Sequence, residues 1–341
     1  MYRVTLEGLK AVFAHLSLEM GVYAPLRDGN ELNYGLYSDS TQVDLDGLKS
    51  LNTPKDLILP QSEDLYKAKL GHGKIEITSQ NTTPQPFAIF GIKACDIKAI
   101  EVLDNIYLKG DFVDDIYKAR REQVYLVSLA CKDPGATCFC AAFGLDAANP
   151  GGDVATWIID DYVYFEGQTD KGTELLKKIT HLLEKTIEED VEVEKHEVQQ
   201  KVKALPYVDL DLSHFKGENT MEIFNDEKWD KIYGACLGCG VCTYICPTCS
   251  CYDIRDFEGK CGEIQKFRCW DSCMYPEFTL MAHGNNRNSQ KERFRQRFMH
   301  KLVYHHDKFA EHGCVGCGRC VNKCPAQLNI IKIIKTFGGA N

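Results

Sequence analysis

The chain has 341 residues, of which 40 are Lys or Arg and 49 are Asp or Glu, so its formal net charge is −9. Hydrophobic residues make up 44% of the sequence and charged residues 26%, the balance of a globular protein rather than of a disordered chain. The acidic balance disfavours a nucleic-acid-binding protein, and no apolar run approaches the roughly 20 residues of a membrane-spanning helix. Because the N terminus also lacks the pattern of a signal peptide, we expect a cytoplasmic protein.

Helical and strand patterns alternate in the first 183 residues. Apolar residues recur at helical spacing near the N terminus, which predicts an amphipathic helix, at Leu6, Leu9, Phe13 and Leu16. Short apolar runs predict strands over 86–92 and 124–130, a helix between them over 97–108, and a hairpin-like strand pair over 157–165. Since strand, helix and strand in this order favour parallel pairing, we predict an α/β domain over residues 1–183.

Residues 184–204 separate this domain from the rest of the chain. Between Glu184 and Glu197, seven acidic residues face only two basic ones. This composition predicts a solvated helix or linker without a binding role. The remaining residues, 205–341, then form a second domain.

Cysteine is the residue type that departs most from an ordinary composition. The chain has 17 cysteines, and thirteen of them follow residue 235. Disulfide scaffolds are usually short secreted chains, whereas clustered thiols in a long cytosolic chain usually bind metal or take part in catalysis. The second domain is therefore predicted to bind metal.

The second domain contains one motif twice. The pattern C-x2-C-x2-C-x3-C-P occurs at 236–247 and again at 314–325. It is the bacterial ferredoxin pattern for two [4Fe–4S] clusters, in which the fourth cysteine of each motif binds the cluster of the other motif. The predicted ligands are Cys236, Cys239, Cys242 and Cys324 for cluster 1, and Cys314, Cys317, Cys320 and Cys246 for cluster 2.

A long insertion, residues 247–313, separates the two motifs. An insertion of this size in a ferredoxin-like domain usually adds a docking surface or a further site. It contains five more cysteines. A four-cysteine zinc site or another cluster is the alternative for them, but their spacings are not strong zinc spacings. We expect them to pack around the clusters: Cys249, Cys251, Cys261, Cys269 and Cys273.

The insertion also carries a basic stretch, with six basic residues and one acidic residue between 287 and 301. Phe294, Phe298 and Leu302 recur every four residues, which predicts a helix with one apolar stripe and a basic flank. A basic flank of this kind is usually solvated. The functional alternatives are docking to an acidic partner and stabilisation of the negatively charged clusters.

Four further cysteines lie in the α/β domain. Cys95 and Cys131 follow two of the predicted strands, and adjacent parallel strands would bring these ends together. The loop after Cys131 could fold two more thiols back onto them. We therefore predict a third [4Fe–4S] cluster held by Cys95, Cys131, Cys138 and Cys140. Asp96 is an alternative ligand that could replace one of these thiolates. The alternative is a structural role, with Cys95 and Cys131 buried at strand ends and Cys138 and Cys140 as a structural pair.

With these motifs the chain resembles the iron–sulfur electron-transfer subunits of the group formed by sulfhydrogenase beta chains and their counterparts in anaerobic sulfite reductases. A similar chain occurs in flavin oxidoreductase modules that feed heterodisulfide reductases. Besides the ferredoxin motifs, the resemblance rests on five blocks: 93–100, 138–140, 246–251, 269–274 and 293–301. It implies a protein that relays electrons between a flavin subunit, which handles NAD(P)H, and a catalytic partner of hydrogenase, sulfite reductase or heterodisulfide reductase type.

The sequence shows no short motif for a nucleotide or phosphate. Neither G-x-G-x-x-G after a strand nor G-x-x-x-x-G-K-[ST] occurs, and no catalytic residue is predicted. We therefore expect a subunit that is not catalytic alone. The alternative from another class is a zinc-stabilised module that binds nucleic acid through the basic helix at 287–301.

Overall fold

The structure is a computed structural model that describes residues 1–47, 50–71, 73–79, 84–259 and 262–338. Cys261, one of the insertion cysteines, lies outside these residues. The strands are β1 (Tyr2–Thr5), β2 (Gly21–Asp28), β3 (Glu31–Leu36), β4 (Ser62–Gly71), β5 (Lys74–Ser79), β6 (Phe87–Ile92), β7 (Val124–Leu129), β8 (Val154–Ile159), β9 (Tyr162–Gly167), β10 (Glu184–Lys185), β11 (Tyr252–Glu258), β12 (Glu263–Trp270), β13 (Leu280–Met281) and β14 (Gly284–Asn285).

The helices follow the same chain order. They are α1 (Leu9–Leu16), α2 (Lys55–Ile58), α3 (Ala94–Tyr107), α4 (Asp115–Gln123), α5 (Asp170–Ile179), α6 (Glu189–Lys203), α7 (Thr220–Asn225), α8 (Lys228–Ile232), α9 (Val241–Tyr244), α10 (Gln290–Met299), α11 (His305–Phe309), α12 (Arg319–Lys323) and α13 (Ile330–Phe337). A π-helical turn over His300–Tyr304 joins α10 to α11.

The largest sheet of the described residues has eight strands in the order β10-β1-β9-β8-β7-β6-β2-β3. Its central strands β2, β6, β7 and β8 are parallel neighbours. Strands of a parallel sheet are covered on both faces, and every position of β6 is buried. Helices α1 and α5 pack on one face, and α3 and α4 pack on the other. The predicted α/β class of the N-terminal half is thereby confirmed.

The individual elements follow the sequence pattern closely. The strands expected at 86–92 and 124–130 are β6 and β7, the hairpin-like pair is β8 with β9, and the helix expected at 97–108 is α3. The first helix begins at Leu9, so Leu6 precedes it. Strand β1 precedes this helix in the chain and pairs with β9, and the sequence pattern does not predict it.

The acidic segment contains a well-packed helix. Helix α6 buries Val191, Val198 and Val202. Val191 packs beside Trp157 of β8. Val198 packs beside Ala147 and Ala148, which lie in the loop before β8. The acidic side chains occupy the opposite face, so the helix is tied to the α/β sheet.

The long insertion pairs with the N-terminal part of the chain. Its strands β11 and β12 join β4 and β5 in a four-stranded antiparallel sheet of the order β11-β12-β4-β5. Arg268 of β12 is 5% exposed and forms ion pairs with Glu63 and Asp114, which both belong to the N-terminal half of the chain. The Tyr107 hydroxyl donates to the Ser250 carbonyl at 3.1 Å. The insertion is therefore anchored to the α/β part of the chain.

The C-terminal cysteine region surrounds its own apolar core. Phe294, Phe298 and Leu302 lie in this core together with Trp229 and residues of α13. Cysteines of both ferredoxin motifs pack against the core. No helix in the described ranges is both long enough and apolar enough to cross a bilayer.

Candidate metal centres

The two ferredoxin motifs have the same backbone shape. The interior glycines adopt left-handed φ angles of 65° and 73° at Gly238 and Gly240, and of 63° and 75° at Gly316 and Gly318. Such angles are favourable for glycine, which has no Cβ atom. In each loop an amide then approaches the sulfur two residues earlier: Gly238 N lies 3.5 Å from Cys236 Sγ, and Gly316 N lies 3.5 Å from Cys314 Sγ. These are the N–H···S contacts expected of a loop that wraps a metal–sulfur group.

The short helices that follow the loops bring the two motifs together. Helix α9 of the first motif packs against α12 of the second. One cavity is lined by Cys236, Cys239, Cys242 and Cys324. A second cavity is lined by Cys246, Cys314, Cys317 and Cys320. The fourth cysteine of each motif therefore lies with the first three of the other, as the crossed ligand assignment requires.

The two cavities differ in their access to solvent. Beside the first, Cys239 is exposed and the side chain of Leu237 is 71% exposed. In the second, Cys317 is 8% exposed, and burial raises the pKa of the Cys314 thiol to about 12. A thiol with such a pKa is neutral at physiological pH, so its thiolate form needs the positive charge of a bound metal. The chemistry of the donors fits an iron–sulfur cluster.

An orphaned buried donor also fits a cluster. Arg297 of α10 is 3% exposed and lines both cavities. Its Nε atom has no hydrogen-bond partner among the described residues. A buried donor without a partner costs about 1–3 kcal/mol. The sulfides of a cluster would supply acceptors at this position.

Two buried lysines converge on the chain just after the first motif. Lys55 Nζ donates to the carbonyls of Cys246 and Cys249 at 3.2 and 3.0 Å. Lys301 Nζ donates to the carbonyl and the hydroxyl of Thr248 at 2.9 and 2.6 Å. Lys55 belongs to the short N-terminal helix α2, and no sequence signal pointed to it. Lys301 lies in the basic stretch for which a solvated face was the expectation, yet it is 3% exposed.

Two of the N-terminal cysteines lie at the neighbouring ends of two parallel strands, as the sequence predicts. Cys95 is the second residue of α3, which follows β6, and Cys131 follows the adjacent strand β7. Cys95 and Cys140 belong to the same buried group as Cys317 of the second motif. Burial, with the charges of Asp96, Cys317 and Cys131, raises the pKa of the Cys95 thiol well above its usual value. Two of the four predicted ligands of the third site, Cys95 and Cys140, therefore lie beside Cys317 of the second motif.

The loop of Cys138 and Cys140 is built into the second motif. The amide of Phe139 donates to the Gly316 carbonyl at 2.9 Å. Nearby, Asp96 accepts from both terminal nitrogens of Arg319 at 2.7 and 2.8 Å, and both side chains are buried. The carboxylate of Asp96, the alternative ligand named for the third cluster, is therefore paired with Arg319 in this structure.

Three insertion cysteines lie close to these centres. The Cys249 thiol hydrogen-bonds to Cys246, which lowers the pKa of Cys246 together with the nearby charges of Lys301 and Arg297. The Cys273 thiol hydrogen-bonds to Cys251, which lowers the pKa of Cys251 to about 7. Cys269 lies on β12 opposite Asp253.

Fold and site together define the class: an iron–sulfur electron-transfer subunit with a dicluster domain. Residues 235–328 match the family described as "4Fe-4S dicluster domain", so two [4Fe–4S] clusters are its cofactors. The chain is also 30% identical over 318 residues to sulfhydrogenase 2 subunit beta of Pyrococcus furiosus, an alignment that covers 92% of this chain and 91% of the relative. The chain therefore belongs to the sulfhydrogenase beta-subunit family. No solved structure matches it.

Proposed function

We propose that this chain is the relay subunit of a cytoplasmic redox complex. It carries electrons between a flavin subunit that handles NAD(P)H and a catalytic partner of hydrogenase, sulfite reductase or heterodisulfide reductase type. The relative's name, a beta subunit of a sulfhydrogenase, supports assembly with other subunits. The observation that carries the proposal is the pair of crossed cysteine sets around two neighbouring cavities.

The positions of the cysteine sets suggest the route of the electrons. The set of cluster 1 reaches the surface at Cys239, whereas that of cluster 2 is enclosed at Cys317. Beyond Cys317 lies the N-terminal set, through Cys95 and Cys140. One-electron transfer between such centres requires no acid, base or nucleophile from the protein. The chain needs only to hold the clusters close together and to set their potentials.

A third [4Fe–4S] cluster extends this route into the α/β part of the chain. Its proposed ligands come from the ends of two adjacent parallel strands and from one loop that packs on the second motif. Lys93 supports an anionic group there, since it is 7% exposed and lies near Cys95 and Cys131. The set consists of Cys95, Cys131, Cys138 and Cys140.

The ligand sets are tested by removing one thiolate from each ferredoxin cluster. We expect Cys236→Ser and Cys317→Ser each to lose or convert one cluster and to stop electron relay, because a cube needs four ligands. Iron and acid-labile sulfide would be counted on anaerobically purified protein, with electron paramagnetic resonance to identify the remaining centre. Cys269→Ser is the control, since Cys269 is not assigned to a cluster. Wild-type iron and unchanged spectra in both ligand variants would contradict the assignment.

The third cluster is tested in the full-length chain, because the N-terminal part shares a sheet with the insertion. The double variant Cys138→Ser/Cys140→Ser should lose about four iron atoms, from about twelve to about eight per chain, since a cube contains four. The two ferredoxin signals should persist. A wild type that already holds about eight iron atoms, unchanged by the double substitution, would show that these thiols are structural.

A further inference from the structure

Among the buried basic residues that the structure describes, only Arg297 lines both cysteine cavities. Its side chain lines the cavity of Cys236, Cys239, Cys242 and Cys324 and also the cavity of Cys246, Cys314, Cys317 and Cys320. Lys301, one helical turn later, lines only the second cavity. Arg297 therefore lies between the two proposed cluster sites.

The local fold holds this guanidinium firmly in place. Helix α10 begins with a capping box, in which the side chains of Ser289 and Glu292 each accept a hydrogen bond from the backbone amide of the other. The aromatic residues Phe294 and Phe298 fix the same helix in the C-terminal core. Because residues four apart lie on one face of a helix, Arg293, Arg297 and Lys301 form a buried basic stripe beside the apolar one.

The charge of Arg297 is compensated by sulfur rather than by a carboxylate. Its Nη1 donates to Cys249 Sγ at 3.4 Å, and within the described residues it has no ion pair with Asp or Glu. Burial by itself would lower the pKa of the guanidinium, but negative charge on Cys242, Cys249, Cys246 and Cys320 outweighs it and raises the pKa well above its usual value. A buried cation that lacks a carboxylate is costly unless other anions surround it.

Reduction adds one negative charge to a cluster that already carries four thiolates. A fixed buried cation stabilises this extra charge and so raises the reduction potential, because net charge and hydrogen bonding near a cluster set its potential. A cation between two clusters acts on both.

The geometry points to Arg297 as a fixed cation, shared by the two sites, that raises the reduction potentials of both ferredoxin clusters. This inference rests on the proposed ligand sets. It differs from them in what it predicts: the sets govern whether clusters assemble, whereas Arg297 governs the potential at which assembled clusters accept electrons.

The same helix supplies matched controls. Arg295 is a neighbouring arginine, but its guanidinium lies over the Phe224 ring, 3.5 Å from the centroid, and donates to the Phe224 carbonyl. Arg295→Gln removes one positive charge from the chain without removing one from between the cavities. Lys301→Gln removes a charge that faces the second cavity alone.

The experiment is a redox titration of the full chain, followed by electron paramagnetic resonance, after iron and sulfide have been counted for each variant. Arg297→Gln should lower both ferredoxin midpoint potentials, each by at least the equivalent of a tenfold change in the equilibrium constant, about 59 mV for one electron. Lys301→Gln should lower one midpoint, and Arg295→Gln neither. Arg297→Lys, which keeps the charge, should restore most of the shift.

Two outcomes would overturn the inference. One is an Arg297→Gln protein with full iron content and both midpoints unchanged. The other is an Arg297→Lys protein whose midpoints fall as far as those of Arg297→Gln, since charge would then not be the cause. Arg297→Met, which is neutral and closer in apolar bulk to the arginine stem, replaces Arg297→Gln if the latter assembles no clusters. An error in the ligand sets would instead appear as unaltered iron in the cysteine variants.

Discussion

Arg319→Met is expected to destabilise the protein by about 3–5 kcal/mol, because it leaves the Asp96 carboxylate buried without its partner. The two side chains are 3% and 2% exposed, and Arg319 also donates through Nε to the Ser50 carbonyl at 3.0 Å. Arg319 stands within the second ferredoxin motif, whereas Asp96 belongs to α3. The ion pair therefore joins the cluster region to the α/β sheet. The free energy of unfolding would be measured by urea denaturation under anaerobic conditions.

The control for this prediction is an exposed ion pair. Arg255 and Asp253 lie 2.9 Å apart with side chains 60% and 45% exposed, and such pairs contribute only about 0–1 kcal/mol. Arg255→Met should therefore leave stability nearly unchanged. The double variant Asp96→Leu/Arg319→Met should recover part of the loss, since no buried charge remains unpaired. Equal effects of Arg319→Met and Arg255→Met would refute a structural role for the buried pair.

Gly318→Ala is the second substitution with a large expected effect. Gly318 has a φ angle of 75°, and a Cβ atom there would lie 2.2 Å from the Thr137 carbonyl oxygen. The left-handed conformation costs about 1–2 kcal/mol for a residue with a side chain. Forcing the two loops apart adds about 1–3 kcal/mol. We expect a lower melting temperature and loss of iron, because the displaced loop carries Cys317 and Cys320.

Gly144→Ala separates the two contributions. Gly144 has a φ angle of 73°, but a Cβ atom there would meet nothing within 4 Å. Its substitution should therefore cost only the backbone strain, about 1–2 kcal/mol, and leave the iron content intact. Thermal unfolding followed by circular dichroism, with iron analysis of the same samples, would compare the variants. A Gly318→Ala protein as stable and as iron-rich as Gly144→Ala would show that the two loops do not pack as described.

Features that depend on local spacing could be predicted from the amino-acid order alone. Buried parallel strands are nearly continuous apolar runs, so 86–92 and 124–130 could be assigned as strands directly. The doubled C-x2-C-x2-C-x3-C-P motif predicted the crossed grouping of its eight cysteines, because the loop and the helix after it fix where each sulfur points. The order of strand and helix also predicted that the ends of β6 and β7, with Cys95 and Cys131, lie side by side.

The placement of the charges depends instead on long-range packing. A basic flank beside an apolar stripe is usually solvated, and the sequence of α10 does not distinguish a solvent-facing arginine from one facing a metal site. Arg297 and Lys301 are buried because α10 and the turn after it pack in the C-terminal core, against the cysteines of the two motifs. Lys55 donates to the carbonyls of Cys246 and Cys249, which lie more than 190 positions later in the chain. These buried positive charges interact through space with groups that are distant in the chain, so the local spacing of residues does not reveal the interaction.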